Sequence, residues 1–134
     1  MKIGIDIDDV IVDTSLTLKK HFLEFEGSIK LIPYIVEIMR GEVPEVAKEF
    51  IEKNIVKILS LVTLKENSVN IINKLIEEGN QIYIITSRGE KQYKGSEKLT
   101  LEFLKNNNIN FIKILFNSLK KADICKANLS DILI

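Results

Sequence analysis

The segment KIGIDIDDVIVD at residues 2–13 constrains this chain more than any other part of the sequence. Its alternating isoleucines predict a buried β-strand, and Asp6, Asp8 and Asp9 occur where the strand gives way to a loop. Carboxylates are almost never fully buried unless they are paired, so this pattern indicates a cation site or a proton-transfer site. Mg²⁺ fits best, because it takes oxygen ligands and engages one or two carboxylates together with a substrate phosphate. The alternative is a solvated strand-to-loop turn, in which aspartate tolerates unusual backbone angles.

Composition predicts a single globular domain without a nucleic-acid or membrane partner. The chain has 134 residues, 46% of them hydrophobic, which is ordinary for a globular protein. Basic and acidic side chains balance to a net charge of zero, so no global field attracts a polyanion or a membrane surface. We see neither a basic leader with an apolar core nor an apolar run of the roughly eighteen residues that a bilayer requires. We therefore expect a cytoplasmic protein.

The only cysteine and the only histidine do not favour thiol or triad chemistry. Cys125 cannot form an internal disulfide and lies in a helix-like stretch without a nearby histidine, so we interpret it as a buried structural thiol. His21 precedes Phe22 and Leu23 and is interpreted as a residue on a helix face. This interpretation counts against a serine or cysteine triad.

Residues 14–62 carry helical spacing throughout and contain no strand pattern. We expect helices over Thr14–Glu26, from about Ile32 to Gly41, and from about Pro44 to Leu61. An insertion of this length exceeds one crossover helix, so it predicts a small all-helical cap after the first strand. We call residues 14–62 the cap segment.

The rest of the chain alternates between helices and strands, which predicts a parallel α/β sheet. The fold class expected is α/β, a three-layer α/β/α Rossmann-like parallel sheet formed by residues 1–13 and 63–134, with the cap segment inserted. The expected elements are a helix opened by a capping box at Thr63–Glu66 and ended by Gly79, a strand at Gln81–Ile85, a helix capped by Ser96, a strand at Phe111–Phe116, a short helix from Lys120 and a strand at Asp131–Ile134.

In parallel α/β sheets, functional residues gather outside the carboxyl ends of the strands. That rule groups the aspartates of the first strand with the hydroxyls after the second strand and a lysine pair near the end of the chain. Carboxylates, a hydroxyl for phosphate oxygens and an ammonium for charge neutralisation are the groups that phosphoryl transfer needs. The residues grouped in this way are Asp6, Asp8, Thr86, Ser87, Lys120 and Lys121.

These motifs resemble those of the haloacid dehalogenase-like (HAD) phosphohydrolases. IGIDIDDVI is similar to the family's first motif, an apolar strand followed by Asp-x-Asp, and IYIITSR is similar to the second. Lys121, within KKADICKA, falls where the lysine of the third motif belongs. The resemblance covers nearly the whole chain and is closest to the 5′(3′)-deoxyribonucleotidase-like branch and its bacterial nucleotidases.

The resemblance implies an Mg²⁺-dependent phosphomonoester hydrolase, a 5′-nucleotidase that acts on (deoxy)nucleoside monophosphates. Asp6 would be the nucleophile that forms an aspartyl-phosphate, and Asp8 would be the general acid and then the general base. Lys121 would balance the developing charge, with Lys120 as the alternative. Mg²⁺ would be held by the carboxylate of Asp6 and the backbone carbonyl of Asp8. Asp9 is assigned no chemistry.

The resemblance also implies residues that contact the substrate. Thr86 would hold the phosphate, and we predict that Ser87, Arg88 and Lys120 contribute further substrate contacts. The substrate would be a small phosphorylated molecule, and the cap segment would select it and exclude water. Small sugar phosphates stay open as an alternative to nucleotides, and a homo-oligomer stays open as well.

One departure from the family pattern concerns the last strand. Relatives continue after a strand like DILI with one or two acids that complete the metal site, whereas this sequence stops at Ile134. Asp131 lies at the start of that strand and does not replace them. We therefore expect weakened Mg²⁺ binding, reduced activity, and a sheet edge that a partner chain would cover.

Two alternatives to an active hydrolase remain. One is a truncated or degenerate HAD-like protein that binds phosphate or metal without turnover. The other is a receiver-type signalling domain, which also combines an acid pair with a hydroxyl and a lysine. Against the receiver stand the long helical stretch after Asp13 and the presence of Asn117, not an acid, after Phe116.

Overall fold

A parallel β-sheet lies at the centre of the computed structural model, which describes residues 1–25, 27–118 and 132–133. Its four strands are β1 (Lys2–Ile5), β2 (Gln81–Ile85), β3 (Lys113–Leu115) and β4 (Ile132–Leu133). They lie in the order β3-β2-β1-β4, and every pair is parallel. Because Ile5 pairs with Ile84, β1 and β2 end side by side at the same edge of the sheet. The predicted α/β class with a parallel sheet is confirmed.

Helices account for most of the remaining described residues. They are α1 (Thr14–Glu24), a 3₁₀ helix (Ile29–Tyr34), α2 (Ile35–Met39), α3 (Glu45–Ser60), α4 (Ser68–Glu77) and α5 (Ser96–Asn106). The first four belong to the cap segment, whereas α4 connects it to β2 and α5 connects β2 to β3. Among the residues that the structure describes, none of the helices combines the length and the apolar character that crossing a membrane requires.

Two separate hydrophobic clusters hold these elements together. The first is built on the sheet and includes Ile3, Ile5, Ile82 and Ile84 of β1 and β2, with further residues from α4 and α5. The second consists of buried residues of the cap segment, against which Tyr93 and Leu99 also pack. Its buried members are Leu18, Phe22, Leu31, Ile38, Ala47, Ile51, Ile55, Ile58 and Leu59.

The chain around Pro33 differs from the helix expected to begin near Ile32. A 3₁₀ helix starts at Ile29 and contains Pro33. The hydroxyl of Ser28 donates to the carbonyls of Phe22 and Phe25, at 2.8 and 2.7 Å, and fixes the entry to this turn. Proline lacks the N–H that a regular helix interior needs, so the tighter 3₁₀ turn precedes α2.

The predicted capping box at Thr63–Glu66 is wrong. The carbonyl of Thr63 accepts a hydrogen bond from the N–H of Asp13 at 2.9 Å, and Lys65 N–H donates to the carbonyl of Ile11 at 2.8 Å. Residues 63–65 therefore pair with residues 11–13 and do not begin a helix. The two ends of the cap segment form a short two-stranded stem.

The helix starts further along the chain also differ from prediction. Asn67 precedes α4 with a φ of 63°, and Gly95 precedes α5 with a φ of 87°. Ser96 is the first residue of α5 and makes no side-chain capping bond, so its predicted capping role is wrong. The left-handed residue at each site turns the chain into the helix, which a local capping motif does not reveal.

Candidate active site

The loop after β1 is organised around the carbonyl of Ile7. This oxygen accepts hydrogen bonds from the N–H groups of Val10, Ile11 and Val12 at 3.2, 2.9 and 3.2 Å. The Ile7 side chain is fully buried in the sheet cluster. The loop is therefore fixed from both sides, and it holds the predicted Asp6 and Asp8 at the carboxyl end of a central strand.

Asp6 is partly buried, and its own loop orients its carboxylate. Oδ1 of Asp6 accepts a hydrogen bond from the N–H of Ile7 at 2.7 Å. Such a bond restricts the side-chain torsion of a short acid. This is a suitable position for a nucleophile, and its assignment as the nucleophile stays a prediction.

Asp8 forms an ion pair with Arg88, which lies 80 positions later in the sequence. Nη2 of Arg88 lies 2.6 Å from Oδ1 of Asp8, and Nε lies 3.0 Å from Oδ2 and 3.2 Å from Oδ1. The hydroxyl of Thr14 at the start of α1 also donates to Oδ1, at 2.5 Å. The side chains are 4% exposed for Arg88 and 15% for Asp8, so this pair is largely shielded from water.

Arg88 has a further contact on the opposite side of its guanidinium group. Nη1 donates to Oγ1 of Thr100 on α5 at 3.0 Å, and both residues are buried. Arg88 is therefore held between α5 and the loop after β1. The sequence prediction that Arg88 contacts substrate stays a prediction, while its described contacts are with protein groups.

The loop after β2 is fixed by the end of β3. Thr86 N–H donates to the carbonyl of Leu115 at 3.0 Å, and Ser118 N–H donates to the carbonyl of Thr86 at 2.9 Å. Oγ1 of Thr86 accepts the N–H of Arg88 at 3.1 Å, and Thr86 is fully buried. The predicted phosphate ligand thus lies next to the end of β1, on a loop with little freedom to move.

Gly89 and Asn117 are in close contact where this loop meets β3. A Cβ added to Gly89 would lie 2.1 Å from Oδ1 of Asn117, a distance no real contact reaches. Asn117 has a φ of 56° and donates its N–H to the carbonyl of Arg88 at 2.7 Å. A larger residue at position 89 would require the Asn117 side chain to move, a contact that the sequence pattern did not predict.

Asp9 stabilises the first turn of α1. Its Oδ1 accepts the N–H of Ser15 at 2.8 Å, and its Oδ2 accepts the Ser15 hydroxyl. Asp9 itself has a φ of 61°. Its carboxylate therefore satisfies a helix N-terminus, where a negative charge is favourable.

A cavity of about 30 Å³ lies beside Asp8, between the core loops and the cap segment. A cavity of this size holds about one or two waters and no organic substrate. The cavity is lined by the polar residues Asp8, Thr14, Ser87, Arg88, Gln92 and Tyr93 and by the apolar cap residues Leu18, Ile38, Met39, Ile55 and Leu59.

Tyr93 lies in this lining with its hydroxyl perturbed by its surroundings. Burial raises the pKa of the Tyr93 hydroxyl, the charge of Asp8 raises it further, and a hydrogen bond with Gln92 lowers it.

A larger cleft of about 360 Å³ adjoins this cavity and shares Ser87 and Gln92 with it. Gly41 of the cap segment, Lys91 and Asn117 complete its lining. Clefts of roughly this volume accommodate small organic ligands. The structure therefore places the predicted Ser87 between the acidic loop and a cleft of ligand size.

The oxygen donors that could hold Mg²⁺ are the carboxylate of Asp6 and the main-chain carbonyl of Asp8. Mg²⁺ binds hard oxygen ligands and retains several waters, so this donor set is chemically suitable. Within residues 1–25, 27–118 and 132–133, no group of three or more acidic, histidine or cysteine side chains forms a metal site. The predicted Lys120 and Lys121 lie outside the described residues, as do Cys125, Asp131 and Ile134.

Solved hydrolase structures resemble this fold. An inferred phosphatase from Clostridium difficile matches with a TM-score of 0.62 and 14% identity over 98% of this chain and 74% of its own. A hydrolase from Streptococcus pneumoniae TIGR4 matches with a TM-score of 0.54 and 14% identity over 87% of this chain and 66% of its own. A HAD family hydrolase from Salmonella enterica serovar Typhi matches with a TM-score of 0.52 and 11% identity over 98% of this chain and 54% of its own.

No family model and no curated protein matches the sequence. The chain spans only 66% of the Streptococcus pneumoniae hydrolase and 54% of the Salmonella enterica one. At identities of 11 to 14%, the likeness establishes the fold and not the activity. The chain therefore has the fold of the haloacid dehalogenase-like hydrolases, and its structural neighbours are hydrolases and phosphatases.

Proposed function

We propose that this chain hydrolyses phosphomonoesters through an aspartyl-phosphate intermediate. The observation that carries this proposal is the position of Asp6 and Asp8 at the end of β1, beside Thr86 at the end of β2. Nucleophile, proton-transfer group and phosphate ligand then occupy the carboxyl edge of a parallel sheet, where α/β enzymes bind their ligands. The HAD-like fold supports the same reaction class.

In the first step, a carboxylate oxygen of Asp6 attacks the phosphorus atom, and the bond from phosphorus to the leaving oxygen breaks. Asp8 gives its proton to that oxygen, and the alcohol departs. In the second step, water attacks the phosphorus, Asp8 takes a proton from the water, and the acyl-phosphate bond breaks. Asp6 returns to a carboxylate, and inorganic phosphate leaves.

Other groups of the chain would stabilise the transferring phosphoryl group. Thr86 accepts a hydrogen bond from Arg88 N–H, which leaves the O–H of Thr86 to donate to a phosphate oxygen. Asp6 and the carbonyl of Asp8 would hold Mg²⁺, which when bound neutralises charge on the phosphoryl oxygens. We assign the charge-balancing ammonium to Lys121, with Lys120 as the alternative.

We propose a nucleoside monophosphate as substrate, on the resemblance of ITSRGEKQYK and KADICKA to the deoxyribonucleotidase-like branch. The phosphate would lie beside Asp6 and Thr86. The leaving group would lie in the 360 Å³ cleft, where Lys91 and Gln92 offer hydrogen-bond donors. We expect neither nucleic acid nor membrane as a partner, because the net charge is zero.

A non-catalytic phosphate-binding relative is the second candidate. It is favoured by the contacts of Asp8, whose carboxylate oxygens both bond to Arg88. These bonds occupy both oxygens of the Asp8 carboxylate, one of which would have to deliver a proton to the leaving group.

The test is phosphate release from a panel of nucleoside monophosphates, sugar phosphates and p-nitrophenyl phosphate, with Mg²⁺ and with chelator. We expect metal-dependent release that is abolished by Asp6→Asn and retained by Asp9→Asn, because Asp9 bonds to Ser15. Folded protein that binds phosphate without release would support the non-catalytic candidate. Stable labelling of one aspartate by acetyl phosphate, without turnover, would support the receiver.

A further inference from the structure

Arg88 of the candidate site is surrounded by protein acceptors. Nε and Nη2 donate to the carboxylate of Asp8, and Nη1 donates to Thr100. The residue is 3% exposed. A phosphate-binding arginine would present its fork of N–H groups to the substrate space, whereas here each of the three nitrogens already bonds to a protein oxygen.

The backbone at Arg88 is fixed as firmly as its side chain. Its N–H donates to Thr86 Oγ1 at 3.1 Å, and its carbonyl accepts from Asn117 N–H at 2.7 Å. Thr100, which holds the far side of the guanidinium group, is fully buried on α5. The guanidinium group therefore has a fixed position relative to the sheet, and the carboxylate of Asp8 bonds to a rigid support.

Asp8 is thereby oriented from two directions. Arg88 bonds to it in bidentate geometry, and the hydroxyl of Thr14 bonds to Oδ1 at 2.5 Å. A proton-transferring carboxylate must come within roughly 2.6–3.2 Å of the oxygen it serves. A displacement of about 1 Å costs on the order of 100-fold in rate, so a fixed support for this side chain has a direct kinetic effect.

We propose that Arg88 is a positioning residue that orients Asp8 for proton transfer to the leaving oxygen, and that it does not bind the substrate phosphate. This inference rests on the proposed function. It assigns Arg88 a role different from the substrate contact predicted from the sequence. Thr100 contributes to the same positioning, because it bonds to the guanidinium group of Arg88 and not to Asp8.

The experiment compares the wild type with Arg88→Lys and Thr100→Val. Two substrates are used. Glycerol 2-phosphate has an alkoxide leaving group that needs a proton, and p-nitrophenyl phosphate has a phenolate that leaves without one. Inorganic phosphate serves as a competitive inhibitor that reports anion binding alone. Because kcat/KM covers only the steps up to release of the first product, it isolates the donation of the proton.

For Arg88→Lys we expect kcat/KM to fall about 100-fold with glycerol 2-phosphate and less than about 10-fold with p-nitrophenyl phosphate. The inhibition constant for phosphate should stay within about twofold, since lysine at this position leaves the anion site intact. Thr100→Val should show the same difference between the two substrates, with a smaller fall in kcat/KM. Lys98→Met, an exposed cation on α5, should match the wild type.

Equal losses with both substrates would overturn the inference, because a general loss of structure has no leaving-group dependence. A phosphate inhibition constant that rises in parallel with the loss of activity would also overturn it and would make Arg88 an anion ligand. If Arg88→Lys does not fold, Thr100→Val alone decides between these outcomes. A wild-type chain without turnover overturns the proposed function, and the inference with it, whereas an active enzyme without the leaving-group pattern overturns the inference alone.

Discussion

The ion pair between Asp8 and Arg88 predicts an unusual stability pattern for a candidate catalytic acid. Asp8→Ala would leave a guanidinium group whose side chain is 4% exposed without its three hydrogen bonds to the carboxylate. Breaking a buried ion pair from one side costs about 3–5 kcal/mol. Because the Asp8 side chain is still 15% exposed, water relieves part of this cost, and we expect about 3 kcal/mol.

The double variant Asp8→Ala/Arg88→Met should be more stable than Asp8→Ala. It removes both charges together, and the methionine side chain fills part of the space that the arginine stem occupies. At about 4 °C per kcal/mol for a domain of this size, Asp8→Ala should lower Tm by roughly 12 °C, and the double variant should recover most of that loss.

Urea unfolding followed by far-UV circular dichroism, with equal m-values across the cycle, measures these differences. Asp8→Asn is the matched control, since it keeps the shape and one acceptor oxygen and should lose less than Asp8→Ala. Additive losses in the double variant, or an Asp8→Ala protein as stable as the wild type, would refute the buried ion pair.

Three further predictions concern the loops and the cap segment. Gly89→Ala should destabilise the fold, because its Cβ would lie 2.1 Å from Oδ1 of Asn117 and would displace that side chain. Gly89→Ala/Asn117→Gly should recover the lost stability in thermal melts. Asp9→Ala should lower the free energy of unfolding by about 1 kcal/mol, because it loses the bonds of Asp9 at the start of α1. Asp9→Gly should lower it less, because glycine adopts the φ of 61° without strain. Equal losses for the two variants in urea unfolding would argue against this account. Burial and the charge of Lys57 lower the pKa of His21 below 6.5, so the fold should lose stability as pH falls below that value, and in His21→Phe that loss should be smaller.

The sign of the His21 prediction follows from which state binds the proton. With a lowered pKa in the folded state, the unfolded chain takes up a proton first, so the contribution is complete above pH 6.5 and lost as pH falls through the folded value. Glu24 opposes the shift, but the desolvation that dominates is supported by the position of the ring, stacked 4.1 Å from Phe25. A pH dependence of Tm unchanged by His21→Phe would contradict the assignment.

The sheet was predictable because its signals are local. The isoleucine pattern predicted β1, and the bounds of β2 at Gln81–Ile85 agree with prediction. The rule that parallel strands end at one edge then placed Asp6 and Asp8 near Thr86, as the register between Ile5 and Ile84 confirms. The roles of these residues stay predictions.

The contacts between loops were not predictable, because no local pattern encodes them. Arg88 bonds to Asp8 only because β1 and β2 pair in one register, which brings together residues 80 positions apart. The close approach of Gly89 to Asn117 depends in the same way on the end of β3. The capping-box prediction at Thr63 failed for a related reason: its carbonyl pairs with Asp13, and this tertiary contact overrides the local motif.

The cavity beside Asp8 is too small for an organic substrate, so we expect binding next to Asp8 to move part of the cap segment. The start of α1 is bonded to the acidic loop through Thr14 and Asp8, and residues 11–13 pair with residues 63–65 in the stem. These contacts fix the base of the cap segment to the loop that carries the candidate nucleophile. The other walls of the 30 Å³ cavity are residues of α2 and α3 on one side and Tyr93 on the other. We therefore expect substrate entry to displace these two helices from Tyr93 while the loop that holds Asp6 and Asp8 keeps its geometry.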